Sequence, residues 1–166
     1  MKADKVYLVG FMGAGKTSVG RALARRLDWR FIDIDELVEQ REHASVADIF
    51  AKHGEPYFRG MERAVLMEQM PIRHAVVATG GGTFVDPQNR AAIKADGAAV
   101  WLDAPIDRVI ARIPKDGRRP LASDRSNLEL LFQSRRPAYE QAHLRLEAGR
   151  PAVEALVDEL VEWLEA

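Results

Sequence analysis

Gly10-Phe11-Met12-Gly13-Ala14-Gly15-Lys16-Thr17 is the stretch on which the reading of this chain turns. It matches G-x-x-x-x-G-K-[ST], with the apolar residues 6–9 before it and Val19, Ala22, Leu23 and Leu27 at helical spacing after it, which is the strand-loop-helix setting the pattern requires. Glycines let the backbone wrap closely enough for consecutive N–H groups to face phosphate oxygens, and the start of a helix adds partial positive charge. Lys16 would reach the β- and γ-phosphates of a nucleoside triphosphate, and the Thr17 hydroxyl would ligate Mg²⁺.

Outward from this loop, short β-type runs at 5–9, 30–34, 75–79, 98–102 and 143–146 alternate with helical patterns. That alternation predicts an α/β fold of five parallel strands joined by crossover helices. One helix is expected to open at Ser45, with Asp48 completing a capping box and Val46, Ile49 and Phe50 as its apolar stripe, until Gly54 and Pro56 interrupt it. Residues 57–69 read as an amphipathic helix, as does a last one starting with Pro151 in its first turn. Residues 114–127 hold two Pro, one Gly and few apolar side chains, and read as a mobile loop of the kind that serves as a lid.

Composition narrows the classes. A chain of 166 residues, 47% hydrophobic and 30% charged, fits a single soluble domain over 1–166 and not a membrane protein. The formal net charge of −1 gives no footprint for nucleic acid or anionic lipid. Absence of cysteine removes disulfides, thiolate nucleophiles and Cys-ligated zinc, and is compatible with a reducing cytoplasm. His43, His53, His74 and His143 lack metal-ligand spacing. The residues 6–9 are too short for a signal-peptide core, and a cytoplasmic monomer is expected.

Three further features bear on chemistry. Asp33-Ile34-Asp35 ends the second strand, where the two-residue period sends both carboxylates to one side of the sheet and toward the crevice at the strand ends. Repulsion between them calls for a cation, with Asp33 toward Thr17 and Mg²⁺ and Asp35 toward an acceptor hydroxyl; the alternative is a solvated turn with Asp35 as a helix cap. Gly80-Gly81-Gly82 follows the third strand and leaves backbone amides open to a ligand, or else forms a tight turn. Arg59, Arg112, Arg118, Arg119, Arg135, Arg136 and Arg150 could serve either a transferring phosphate or a substrate carboxylate.

Taken in order, G-F-M-G-A-G-K-T-S-V-G-R, D-I-D with the following E-x-x-E-Q, S-V-A-D-I-F-A-K-H-G-E-P-Y-F-R, T-G-G-G, R-R-P-L and R-R-P-A-Y resemble the shikimate kinases over nearly the whole chain. The resemblance implies a three-layer α/β P-loop kinase of nucleoside monophosphate kinase type, with a five-stranded parallel sheet flanked by helices and a mobile lid. It implies transfer of the γ-phosphate of ATP to the 3-hydroxyl of shikimate, in the chorismate route to aromatic amino acids. Gly13, Ala14, Gly15, Lys16, Thr17 and Ser18 would bind ATP, and Thr17 and Asp33 would hold Mg²⁺, Asp33 directly or through water. Asp35, Arg59, Gly80, Gly81, Gly82 and Arg135 would hold shikimate, the first two from a shikimate-binding helical segment at about 35–62, with Arg136 a competitor for Arg135. Arg119 would close on the transferring phosphate, and Arg112 and Arg150 would flank the adenine. Lys16, Asp35 and Arg119 would carry the catalysis. Leu121-Ala122 and Ala138 stand where the family often has other apolar residues.

Two rivals remain at this stage. A gluconate-type sugar-acid kinase would share the phosphate loop and the need for a carboxylate. A non-catalytic nucleotide-binding module would leave the acceptor-side residues without a task, and the N-K-x-D and D-x-x-G motifs of nucleotide switches are missing.

Overall fold

In a computed structural model that describes residues 1–112 and 125–166, the most apolar runs become the interior strands of one sheet. The strands are β1 (Lys5–Val9), β2 (Arg30–Asp33), β3 (Ala75–Ala78), β4 (Ala98–Asp103) and β5 (Leu144–Glu147), in the order β2-β3-β1-β4-β5 and parallel throughout. Every residue of β1, β3 and β4 is buried, while the edge strands β2 and β5 are mixed, as expected when helices cover a parallel sheet. The expected strands are all present, each within about one residue at either end.

The helices among the described residues are α1 (Lys16–Leu27), α2 (Ile34–Glu42), α3 (Val46–His53), α4 (Glu55–Glu68), α5 (Pro87–Asp96), α6 (Ile106–Arg112), α7 (Arg125–Tyr139) and α8 (Val153–Glu165). Helix α1 lies against α8 and the sheet, and its Gly20 allows that approach, since a Cβ there would stand 2.5 Å from the Phe31 ring. Leu156, Val157, Leu160 and Leu164 of α8 are buried in the same core. None of these helices is long and apolar enough to cross a membrane.

Several boundaries differ from expectation for local reasons. Ser45 does cap α3, accepting the Asp48 N–H at 3.1 Å, but the Val46 N–H goes to Glu39 of α2 at 2.9 Å. Gly54 caps both α3 and α4, and Pro56 sits in the first turn of α4, where its missing N–H costs nothing, so that helix starts earlier than residue 57. Pro151 precedes the Ala152 cap of α8 and is not in its first turn. Residues 125–127 are the opening of α7, which shortens the stretch expected as a lid; the rest of that stretch, with Arg118 and Arg119, lies outside the described residues.

Candidate active site

The phosphate loop leaves β1 at Gly10 and enters α1 at Lys16, so its N–H groups and the helix start face the carboxyl ends of the strands. Gly15, the cap of α1, has φ of 98°, a left-handed conformation that a side chain would strain. Lys16 is buried and its ammonium donates to the carbonyl oxygens of Gly10 and Phe11, curling over the loop. A cleft of about 570 Å³ is lined by Gly13, Gly15, Lys16, Thr17 and Ser18 on one side, and by Asp33, Asp35, Gly80 and Gly81 on the other.

Asp33 and Asp35 both line this cleft, but strand alternation does not put them there. Strand β2 stops at Asp33 and α2 begins at Ile34, so the two-residue period never reaches Asp35. Asp33 is itself the helix cap, accepting the Glu36 N–H at 3.2 Å, while its other oxygen accepts from the Thr17 hydroxyl at 3.3 Å. The capping role considered for Asp35 belongs to Asp33, and Asp35 sits in the first turn of α2.

A second, adjoining pocket shares Met12, Asp35, Val46, Gly80 and Gly81 with the first and adds Phe50, Phe58, Arg59, Glu62, Gly82 and Arg135. The triple glycine matters here for closeness of approach. A Cβ on Gly80 would meet the Asp35 carboxylate at 2.7 Å, and one on Gly82 would meet the Arg59 guanidinium at 2.6 Å. Arg59 stands between two carboxylates of its own helix, Glu55 at 3.1 Å and Glu62 at 3.2 Å, and is only partly covered. Burial tends to lower its pKa, yet these two acids outweigh burial and raise it.

Arg135 is in a different electrostatic state. It is 6% exposed, its guanidinium lies 5.7 Å from the Phe11 ring, and it makes no ion pair among the described residues. Burial holds its pKa below the ordinary value, with the like charge of Arg59 adding to the effect against the pull of Tyr139. Arg136 faces elsewhere: it pairs with Asp103 at 3.2 Å and stacks on Trp101 and Phe132. It lines a separate hollow with Arg145, Glu147, Arg150 and Pro151. Of the two adjacent arginines, Arg135 therefore shares a pocket with Asp35 and Arg59, and Arg136 shares one with Arg150. Arg112 ends α6, and Arg119 is outside the described residues.

Two polar residues of the site went unread in the sequence. Glu62 is buried, accepts from Arg59 and from the Thr83 hydroxyl at 2.9 Å, and has its pKa pushed up by burial and by neighbouring Asp35 against the opposing Arg59. Its signal was an acid three residues after Arg59, on the same helix face as Phe58, Val65 and Leu66. Tyr139 is 1% exposed and its hydroxyl donates to the Gly81 carbonyl at 2.5 Å.

A sequence profile described as shikimate kinase matches residues 12–165. This chain belongs to the shikimate kinase family. Shikimate kinase from Persephonella marina is 38% identical, with 94% of this chain and 96% of that protein covered. Shikimate kinase from Salinibacter ruber is 40% identical over 98% of this chain and 85% of its own length. The structure of shikimate kinase from Acinetobacter baumannii in complex with shikimate superimposes with a TM-score of 0.93 at 36% identity, covering 97% of this chain and 92% of the other. Deoxyadenosine kinase from M. mycoides, at 14% identity and a TM-score of 0.67, shares the fold. As a family member the chain is an ATP-dependent kinase, a phosphotransferase of aromatic amino acid biosynthesis, and neither rival reading is favoured.

Proposed function

We propose that the residues of the two adjoining pockets divide the transfer of the γ-phosphate of ATP to the 3-hydroxyl of shikimate between a donor half and an acceptor half. The observation that carries this division is Arg135: a guanidinium buried to 6% exposure without an ion pair among the described residues is costly, and an anionic acceptor offers it a planar, bidentate partner. Arg59 supplies the second cation for the shikimate carboxylate, and Gly80, Gly81 and Gly82 bring backbone close to the ring. Asp35 accepts a hydrogen bond from the reacting hydroxyl and aims it at the donor. The helical segment 35–62 is thus the acceptor-binding part of one domain spanning 1–166.

On the donor side, Gly13, Ala14, Gly15, Lys16, Thr17 and Ser18 cradle the phosphates, and Lys16 leaves its loop carbonyls to neutralise charge on the transferring group. Arg119 is assigned a place on the same group, and Arg112 and Arg150 a place beside the adenine. The hydroxyl of Thr17 and the carboxylate of Asp33 are hard oxygen donors 3.3 Å apart, a set that suits Mg²⁺. That ion supplies electrostatic neutralisation of the phosphate oxygens when bound. We assign the protein as a cytoplasmic monomer, and the absence of cysteine fits a reducing compartment.

ADP release measured with shikimate and with gluconate, with Arg59→Ala alongside, tests the reading. Turnover with shikimate that collapses in Arg59→Ala is expected, and turnover with gluconate alone would sink it. Asp35→Ala is expected to lower kcat by about a hundredfold or more with ATP affinity nearly unchanged; equal losses in both would remove Asp35 from the acceptor.

A further inference from the structure

Tyr139 lies one helical turn beyond Arg135 on α7, so the two side chains share a face. The Gly81 carbonyl accepts the Tyr139 hydroxyl at 2.5 Å, and a Cβ on Gly81 would stand 3.0 Å from an Arg135 nitrogen and 3.4 Å from the Met12 backbone nitrogen. Gly81 is therefore held between the phosphate loop, the buried arginine and this one phenol. The phenol ring is itself fixed, buried to 1% exposure and 5.9 Å from the Trp101 ring of β4.

A planar trans peptide links the two ends of this contact. The Gly81–Gly82 bond is not cis, so turning the Gly81 oxygen toward α7 turns the Gly82 N–H away from it. The hydrogen bond thus selects one orientation for a peptide that glycine on both sides would otherwise leave free to rotate. Among the described residues Arg135 makes no ion pair, and it lies beside Phe11, Gly81 and Tyr139, with Arg59 and Glu55 acting on it through space.

We propose that Tyr139 is a positioning residue for the acceptor: its hydroxyl fixes the Gly81–Gly82 peptide beside Arg135, preforming the half of the site that receives the substrate carboxylate. This rests on the division of the site given above. Burial pushes the phenol's pKa up to about 12, so it remains a donor through the whole working range of the enzyme.

The test is Tyr139→Phe in the full chain, which keeps the ring and removes only the donor. Shikimate binding by calorimetry without nucleotide is expected to weaken about fivefold to tenfold, the loss of one neutral hydrogen bond and its preorganisation. The KM for shikimate should rise in step, while kcat stays within about twofold and the KM for ATP does not move. The shift should be the same from pH 6 to pH 9, because the phenol does not titrate there. An unchanged dissociation constant for shikimate overturns the inference, as does a parallel rise in both KM values with a lowered melting temperature, which marks a merely structural role. Failure of the unsubstituted enzyme to phosphorylate shikimate would instead sink the function on which the inference stands.

Discussion

At the amino end of β1, Lys5 is inaccessible to solvent yet paired with a carboxylate, whereas beyond the carboxyl end Arg135 is nearly as deep and makes no ion pair among the described residues. The Lys5 ammonium lies 2.8 Å from Asp96 and donates to the Gln69 carbonyl at 2.6 Å. The Tyr7 hydroxyl donates to the same carboxylate at 2.5 Å, and Arg73 bridges Asp96 and Asp4 at 2.7 and 2.6 Å. Burial opposes ionisation of Asp96, but the donors from Lys5, Tyr7 and Arg73 outweigh it and hold the carboxyl below its usual range. The same strand therefore runs from a network whose charges answer one another within the chain to a buried cation that, under the proposed function, is answered by the substrate. Buried charge serves architecture where it is cancelled within the chain and recognition where it is not.

The contrast breaks most visibly at Arg135. Replacing it with Leu is expected to cut kcat/KM for shikimate about a hundredfold or more, the worth of charged hydrogen bonds to a carboxylate. The melting temperature should hold or rise, because an uncompensated buried charge is gone; a large fall would mean that the charge is balanced by the fold. Asp96→Asn should do the reverse. Stranding Lys5 costs about 3 kcal/mol and lowers the melting temperature by roughly 6–12 °C, with kinetic constants unchanged below the transition; an unchanged melting temperature would show the network to be dispensable.

The smallest expected effect lies at the sheet edge. The Nδ1 of His143 accepts the Ala99 N–H at 2.9 Å, and burial, with Lys94 nearby, holds its pKa below the ordinary 6.5. The unfolded chain takes up this proton at a higher pH than the fold does. Its contribution is complete above pH 6.5 and declines as pH falls below that toward the folded value. Melting temperature followed from pH 7.5 to 5 should fall slightly less in His143→Gln than in the parent; parallel curves would show the imidazole to be indifferent.

Strands were legible because their burial on both faces demands unbroken apolar runs, as in residues 6–9 and 98–102. The phosphate loop was legible because its geometry constrains residue types directly. Helix α2 was expected only within the helical segment that the resemblance implied, and its start was misplaced, because Asp33-Ile34-Asp35 satisfies strand alternation and a helix cap equally well over three residues. Helix α7 carries Pro137 in its interior, a residue that ordinarily argues against a helix there. The contacts of Glu62 with Thr83 and of Tyr139 with Gly81 join elements 21 and 58 residues apart, and no local pattern announces such pairs.

The strand order has a consequence for how the protein is made. Of the strands, β1 emerges from the ribosome first, but its strand partners are β3 and β4, so its edges stay unpaired until Ala78 has been added. At about 5–20 residues per second, that is a wait on the order of ten seconds. For that interval the central strand is an apolar segment with both edges unpaired, and cover by α1, a chaperone or the exit channel, rather than pairing, has to keep it soluble.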